Sequence, residues 1–186
     1  MKKVFTFLLL CLYLFANSMQ CIYTLKFTDC RWYLKSLSEN KALDFAKKIC
    51  DKQRDFYNCY SVLQYAKTRK DKEYFYDRLC NISNPGGCYA TGNFYIDNNK
   101  TKAFKAYQQG CYAYTPDYDS CYMSGYLSYK TNLPKALTLF ERGCKHNHAQ
   151  SCLALGILNT NKTEKRKYYK KACNLGIKEA CERLTR

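Results

Sequence analysis

Apolar residues recur three and four positions apart in two kinds of segment that alternate along the chain. The first kind ends at a cysteine, as in residues 136–144, ALTLFERGC, and residues 103–111, AFKAYQQGC. The second kind begins around a cysteine, as in residues 151–158, SCLALGIL. This spacing predicts amphipathic helices. We call the segment before the first cysteine of a pair helix B and the segment after the second cysteine helix A.

The junctions between these segments are short. Turn-forming residues such as Asn98-Asn99 join helix A to helix B, and links of this length place consecutive helices antiparallel. Residues 170–181, KKACNLGIKEAC, give the other junction, in which Gly176 is predicted to end one helix before the next begins. Variants of this stretch recur up the chain. The pattern predicts an all-α solenoid of about five αα-hairpins.

Twelve of the thirteen cysteines mark the repeat. They are Cys21, Cys30, Cys50, Cys59, Cys80, Cys88, Cys111, Cys121, Cys144, Cys152, Cys173 and Cys181. Consecutive pairs have members eight to ten residues apart, and the period from pair to pair is 29 to 33 residues. An even number of cysteines in an exported chain indicates disulfides, although their connectivity does not follow from the number alone.

Small and aromatic residues also recur at fixed distances from the cysteines. Glycine lies four residues after the second cysteine at Gly92, Gly125 and Gly156, whereas Leu34 and Leu63 hold this position in the first two repeats. Glycine inside a helix costs roughly 1 kcal/mol against alanine, so its recurrence predicts the close approach of another helix. Aromatic rings four residues before the first cysteine are predicted to pack in the core. These are Tyr76, Tyr107, Phe140 and Tyr169.

The N-terminus has the composition of a secretory signal peptide, predicted at residues 1–18. A basic start is followed by an apolar run from Val4 to Ala16 and by small residues before Met19. We therefore expect a mature chain of residues 19–186 that is secreted or periplasmic in a bacterium. Cys11 would leave with the signal, and Cys21 fits a lipoprotein signal poorly. No later stretch is apolar enough to predict a transmembrane segment.

The Lys170–Cys181 stretch and the small-Cys-x-x-x-Gly starts of helix A resemble the Sel-one-like repeat, a relative of the tetratricopeptide repeat. The chain is most similar to the Helicobacter cysteine-rich protein family, over the whole mature sequence and most closely from Cys80 onward. Family repeats usually have a longer, glycine-containing loop between helices A and B, so ligand-contacting loops cannot be transferred. The resemblance implies a right-handed solenoid in which each close cysteine pair is a disulfide.

The implied bridges agree with the predicted geometry. A cysteine ending helix B and one in the first turn of helix A are brought within bridging distance by an αα corner. Long-range pairing is the alternative. The implied pairs are 21–30, 50–59, 80–88, 111–121, 144–152 and 173–181.

The formal net charge of +16 bears on partners. It falls to +14 when Lys2 and Lys3 leave with the signal. Such a charge favours anionic envelope or host components as partners. The alternative is a lysine-rich surface that is merely solvated and binds no such partner. Nucleic acid is not expected as a partner of an exported protein. The densest basic group is Lys162, Lys165, Arg166, Lys167, Lys170 and Lys171.

One short motif has a catalytic counterpart. Residues 38–41, Ser-Glu-Asn-Lys, match the Ser-x-x-Lys pattern of penicillin-recognising enzymes, and the family resemblance carries a β-lactamase or penicillin-binding label. Because the companion Ser-Asp-Asn and Lys-Thr-Gly motifs are absent, we favour a helix start here, with Ser38 capping helix B. We expect no catalytic residue, and a β-lactamase or penicillin-binding hydrolase is the alternative function.

His146 and His148 lie between Cys144 and Cys152, an arrangement that zinc sites also show. Because both cysteines belong to the predicted disulfide series, we expect no metal here and no cofactor elsewhere.

Residues 97–101, Asp-Asn-Asn-Lys-Thr, match the acidic sequon of some bacterial glycosylation systems. Asn99, which directly follows Asn98, is therefore a candidate for glycosylation. The simpler Asn-x-Ser/Thr pattern also occurs at Asn81 and Asn161.

A solenoid of antiparallel helices offers a concave surface lined by helix A, and such surfaces bind peptides or proteins. The sequence therefore predicts an interaction scaffold, with tyrosines of helix A as candidate contacts because tyrosine suits interfaces. These are Tyr33, Tyr60, Tyr65, Tyr95, Tyr126 and Tyr129, of which some must instead belong to the core.

Overall fold

The computed structural model describes residue 16 and residues 19–82 and 84–185. The predicted signal peptide lies outside the described residues, apart from Ala16. Residues 19–24 are helical. The α-helices that follow are α1 (Phe27–Ser36), α2 (Glu39–Gln53), α3 (Phe56–Val62), α4 (Arg69–Asn81), α5 (Pro85–Tyr95), α6 (Lys100–Cys111), α7 (Tyr118–Ser128), α8 (Leu133–Lys145), α9 (Ala149–Leu158), α10 (Lys162–Asn174) and α11 (Lys178–Leu184).

Helices A and B alternate as the sequence predicts. The odd-numbered helices begin around the second cysteine of a pair, and the even-numbered helices end at or near the first. A 3-10 turn, Leu63–Tyr65, extends α3. Five αα-hairpins and a final helix A result, and the described residues contain no strand. The predicted all-α fold of αα-hairpin repeats cross-linked by disulfides is confirmed.

The chain divides into two compact units. The first, Met1–Ile82, contains α1 to α4, and the second, Ser83–Arg186, contains α5 to α11. In the first unit, Leu34, Ile49 and Phe75 are among the fully buried core residues. In the second unit, each consecutive pair of helices from α5 to α11 is in contact. Among the described residues, no helix has both the length and the apolar character needed to cross a bilayer.

In the second unit, an aromatic ring packs against each of the three helix A glycines at which the sequence predicts a close helix approach. A Cβ added to Gly92 would lie 2.3 Å from the Tyr107 ring, and one added to Gly125 would lie 2.7 Å from the Phe140 ring. The corresponding distance from Gly156 to the ring of Tyr169 is 2.5 Å. Since real Cβ contacts are longer, only glycine fits at these positions. The predictions of a close helix approach and of packing aromatics are both confirmed.

The first repeat reverses this arrangement of large and small residues. Leu34 holds the glycine position, and Ala46 lies four residues before Cys50, where later repeats have a ring. Both side chains are buried in the same core cluster. A large residue on helix A with a small one on helix B thus replaces the small–large pair of later repeats, so the core volume is filled from the other helix.

The helix stop at Gly176 follows the pattern of a Schellman motif. Gly176 has φ +96°, its N–H donates to the Cys173 carbonyl, and the Ile177 N–H donates to the Ala172 carbonyl. This satisfies the last carbonyls of α10 and turns the chain into α11. The prediction that this residue ends the helix is confirmed.

Asn147 takes the equivalent place after α8. It has φ +65°, its N–H donates to the Cys144 carbonyl, and the His148 N–H donates to the Gly143 carbonyl. Asparagine is one of the few residues besides glycine that tolerates this conformation.

Disulfides lie at the same junctions. Sulfur atoms are bonded in the pairs 21–30, 50–59, 111–121, 144–152 and 173–181, with Cα–Cα distances of 4.3 to 4.8 Å. Each of these bridges closes a loop between the end of a helix B, or of the helical residues 19–24, and the start of the next helix A. Cys80 and Cys88 are also disulfide-bonded.

Polar side chains cap most of the helix N-termini. Asn84, Asn99, Asn132 and Asn161 each accept a hydrogen bond from a backbone N–H in the first turn of the helix that follows. Such caps satisfy donors that the helix itself leaves unpaired. Ser38 occupies the N-cap position of α2, but its side chain makes no capping hydrogen bond. The interpretation of Ser38 as a side-chain cap is therefore wrong.

Candidate functional site

The helices A of the second unit pack side by side, because α7 contacts both α5 and α9. Residues one, five and eight positions after the second cysteine share one face of a helix. We call these residues the aromatic face. Its members are Tyr89, Asn93, Ile96, Tyr122, Tyr126, Tyr129 and Ile157, whereas Leu153, which directly follows Cys152, is buried in the core.

Helix α7 provides three neighbouring rings of the aromatic face. The ring centroids of Tyr122 and Tyr126 are 6.4 Å apart, and those of Tyr126 and Tyr129 are 5.7 Å apart. Tyr126 is 51% exposed, and Ile157 at the equivalent position of α9 is 45% exposed. Burial, with a smaller effect from Tyr126, raises the pKa of Tyr122. Its phenol is therefore neutral at physiological pH.

Asn93 holds the same position on α5 as Tyr126 does on α7. The Tyr107 hydroxyl donates a hydrogen bond to Asn93 Oδ1 over 2.6 Å. Burial raises the pKa of Tyr107 strongly, with smaller contributions from Tyr89 and Asp97, so the phenol remains a donor. Because the carbonyl oxygen is engaged, Asn93 presents its amide nitrogen as a donor on the aromatic face.

The helices that carry the aromatic face have almost no charge. Along α5, α7 and α9 the one charged residue is Asp119, which accepts a hydrogen bond from His148 Nε2 over 2.9 Å. His148 Nδ1 accepts the N–H of Ser151 at the start of α9, so the neutral imidazole has its proton on Nε2. A neutral surface of aromatic rings, aliphatic side chains and an amide has the composition of an interface core.

The predicted tyrosines have different positions. Tyr126 and Tyr129 lie on the aromatic face, whereas Tyr95 is only 2% exposed and is one of the candidates that belong to the core. Tyr33, Tyr60 and Tyr65 lie on helices of the first unit. Sequence reasoning missed Tyr89 and Tyr122. Both directly follow the second cysteine of a pair, and this position lies on the same helix face as the positions of Tyr126 and Tyr129.

The Ser-x-x-Lys pattern lies on an open surface. Ser38 and Lys41 are both exposed, at the link between α1 and α2 and in the first turn of α2. A serine nucleophile of this class needs its lysine in an enclosed site, where removal of water makes the lysine a base. The surroundings of this pair therefore do not resemble such a site.

The histidine loop between α8 and α9 has structural contacts. Cys144 and Cys152 are bonded to each other, and oxidised sulfur is not a zinc ligand. The His146 ring stacks on Tyr118 at 4.6 Å between centroids. Across residues 19–82 and 84–185, no three or more His, Cys, Asp or Glu side chains are grouped to hold a metal ion.

The candidate glycosylation site lies at a helix start. Asn99 is exposed, and its Oδ1 accepts the N–H of Lys102 over 2.9 Å as the N-cap of α6. Modification at Asn99 remains a prediction.

The comparison with solved structures bears on the fold. A crystal structure of YrrB, described as a TPR protein with an unusual peptide-binding site, matches with a TM-score of 0.54 over 92% of this chain and 98% of that chain. The chain has a tetratricopeptide-like helical-repeat fold. Sequence identity is 15%, which supports the architecture and nothing finer. No family model and no curated protein matches the sequence.

Proposed function

We propose that this protein is a secreted or periplasmic repeat scaffold that binds a peptide or a protein segment on the aromatic face. The observation that carries the proposal is that α5, α7 and α9, which have Asp119 as their one charged residue, present tyrosines, Asn93 and Ile157 on one face. Tyrosine provides apolar area and a hydroxyl at low entropic cost, which is why it is enriched among interface residues that dominate binding.

The structural neighbour supports this choice of class. YrrB is described as having a peptide-binding site, and its helices share the architecture of this chain. Disulfide-bonded cysteines support an oxidising compartment outside the cytoplasm. Export itself rests on the predicted signal peptide. Contact with anionic envelope or host components is a further proposal, which rests on the net charge of the chain.

The binding experiment uses oxidised protein of residues 19–186. Peptides are selected from a displayed random library, and the dissociation constant of a selected peptide is measured by fluorescence polarisation. We expect Tyr126→Ala or Ile157→Ala to weaken binding by tenfold or more, because each removes an exposed apolar contact at the centre of the face.

Tyr57→Ala is the matched control, since Tyr57 lies on α3 in the first unit and is 59% exposed. It should change the dissociation constant by less than twofold. An equal loss in the control, or the absence of any selectable peptide, would contradict the proposal.

A chromogenic cephalosporin assay separates the scaffold from the alternative hydrolase. We expect no turnover above a buffer blank. Turnover by the wild-type protein that disappears in Ser38→Ala would overturn the scaffold-only proposal and establish the β-lactamase alternative.

A further inference from the structure

Charge in the second unit is divided between its two sets of helices. While α5, α7 and α9 carry the single charged residue Asp119, the helices B carry twelve basic residues, with three on α6, three on α8 and six on α10. The same three helices carry two acidic residues, Glu141 and Glu164. The net charge of the chain is therefore concentrated on one side of this unit.

The first unit shows what a balanced surface looks like in the same protein. Each of its helices B, α2 and α4, carries four basic and three acidic residues. Ion pairs join these helices, between Lys47 and Asp71 at 3.4 Å and between Arg78 and Asp51. Solvation alone would not require one unit to balance its charges while the other separates them. The charge on α6, α8 and α10 thus has the character of a binding surface.

The twelve basic residues of α6, α8 and α10 face only two acidic residues on the same helices. Lys167 Nζ forms an ion pair with Glu164 Oε2 over 3.5 Å, and Lys102 Nζ donates a hydrogen bond to the Tyr95 hydroxyl over 3.2 Å. Arg142 has another role, because it donates to the Cys111 carbonyl over 3.0 Å and its guanidinium lies over the Tyr112 ring. Ten of the twelve basic residues are lysines, which are flexible point charges and select charge rather than a fixed bidentate geometry.

Two grooves run between successive helices B, and each has lysines beside an aromatic ring. The groove between α6 and α8 has a volume of about 320 Å³ and is lined by Lys100, Lys135 and Phe104, among others, and Lys135 Nζ lies 4.6 Å from the centre of the Phe104 ring. The groove between α8 and α10 has a volume of about 370 Å³, and its lining has Lys145, Lys167, Lys171 and Tyr168 beside one acidic residue, Glu141.

We infer that the helix B side of the second unit binds a linear acidic polysaccharide, with its carboxylate or sulfate groups on the lysines and a sugar ring against Tyr168. This deepens the proposal of an anionic partner and is independent of the peptide-binding proposal. A flat lipid surface would contact only the outermost side chains of the helices and would not enter the two grooves. A nucleic acid would favour arginine, which forms bidentate contacts with phosphates and bases.

The test measures binding of a size-defined heparin oligosaccharide to oxidised protein of residues 19–186 by isothermal titration calorimetry. The groove variant changes Lys100, Lys135, Lys145 and Lys171 to glutamine. We expect at least tenfold weaker binding, and a wild-type affinity that falls steeply with added NaCl. The control variant has the same net charge and changes exposed lysines of the first unit, Lys41, Lys48, Lys52 and Lys70, to glutamine. It should bind within threefold of wild type.

Several outcomes would overturn the inference. Equal weakening by the control variant would show that only net charge matters. Tighter binding to phosphatidylserine-containing vesicles or to a single-stranded oligonucleotide than to heparin would assign the surface to a lipid or nucleic-acid partner. Tyr168→Leu should weaken binding of the oligosaccharide but not of polyglutamate, and an equal effect on both would remove the sugar-ring contact. Peptide binding at Tyr126 should be unchanged in the groove variant, so the two proposals fail separately.

Discussion

At the scale of single residues, the pairing of a glycine with an aromatic ring sets how closely helices A and B approach. Gly125 lies against Phe140, and Gly92 and Gly156 lie against equivalent rings. The sequence predicted both partners from their distances to the cysteines. It did not predict that Leu34 and Ala46 reverse the pair, because complementarity of volume between two helices is visible only when both side chains are seen in one core.

The variant Gly125→Ala tests this contact, because the sign of the change in unfolding free energy shows whether the Phe140 ring blocks a larger residue. In an ordinary helix this change stabilises by roughly 1 kcal/mol. Here the added Cβ would meet the Phe140 ring, and overpacking costs about 1–3 kcal/mol. We expect a net loss of stability of about 1 kcal/mol, measured by urea unfolding followed by circular dichroism.

The double variant Gly125→Ala with Phe140→Leu is the control for this clash. Since the smaller side chain makes room for the methyl group, the double variant should be more stable than the sum of the single changes predicts, by about 1 kcal/mol. Additive effects would place the cost elsewhere than in the contact between these two residues.

At the scale of helices, α2 and α4 of the first unit are joined by a polar cluster. The Tyr74 hydroxyl donates to Asp51 Oδ2 over 2.5 Å, Arg78 Nε donates to Oδ1, and the Arg78 guanidinium lies 3.4 Å from the centre of the Tyr74 ring. Burial opposes ionisation of Asp51, but the hydrogen bonds from Tyr74 and Arg78 and the nearby positive charges outweigh it and lower the pKa of Asp51. Burial, followed by the Asp51 hydrogen bond, raises the pKa of Tyr74 to about 12.

These shifts predict how stability depends on pH. Because the pKa of Asp51 is lowered on folding, its charge stabilises the protein above the unfolded pKa of about 3.9, and this contribution is lost as pH falls through the folded pKa. Asp51→Asn should therefore lower the melting temperature more at pH 7 than at pH 2.5, in scanning calorimetry at both values. Asp44→Asn, an exposed position on α2, should change little at either pH.

The helix junctions were the part of the fold most open to prediction, because their chemistry is local. Gly176, the short Asn-containing links and the cysteine spacing each specify a turn within a few residues of sequence. The aromatic face was predicted only in part. Tyr95 lies seven positions after Cys88 and is buried, as is Ser128 at the equivalent position of α7, whereas Tyr126 lies five positions after Cys121 and is exposed, so the two tyrosines differ in the helix face that carries them.

At the scale of the whole molecule, stability is distributed over repeats instead of residing in one large core. Such arrays depend on contacts between neighbours, and a disulfide at each junction constrains the unfolded chain. Each bridge, with its loop of eight to ten residues, contributes about 2.5 kcal/mol in the chain-entropy model. The bridges together are therefore comparable with the entire stability of an ordinary domain, which is about 5–15 kcal/mol.

Loss of a single bridge should be measurable and local. The double variant Cys144→Ser with Cys152→Ser should lose about 2–3 kcal/mol of stability while retaining its helical circular dichroism at 25 °C. Full reduction should unfold the chain.

A non-reducing peptide map of the wild-type protein should give the pairs 21–30, 50–59, 80–88, 111–121, 144–152 and 173–181. Any long-range bridge in the map would contradict the repeat architecture.

The order of the bridges along the chain has a consequence for biogenesis. The bridges 21–30, 50–59, 111–121, 144–152 and 173–181 each join cysteines that are consecutive in sequence, and at least 20 residues separate one pair from the next. A chain that enters an oxidising compartment N-terminus first would expose both thiols of a pair before any thiol of the next. An oxidase that joins thiols in order of emergence would then produce the native set directly, with little work left for a disulfide isomerase.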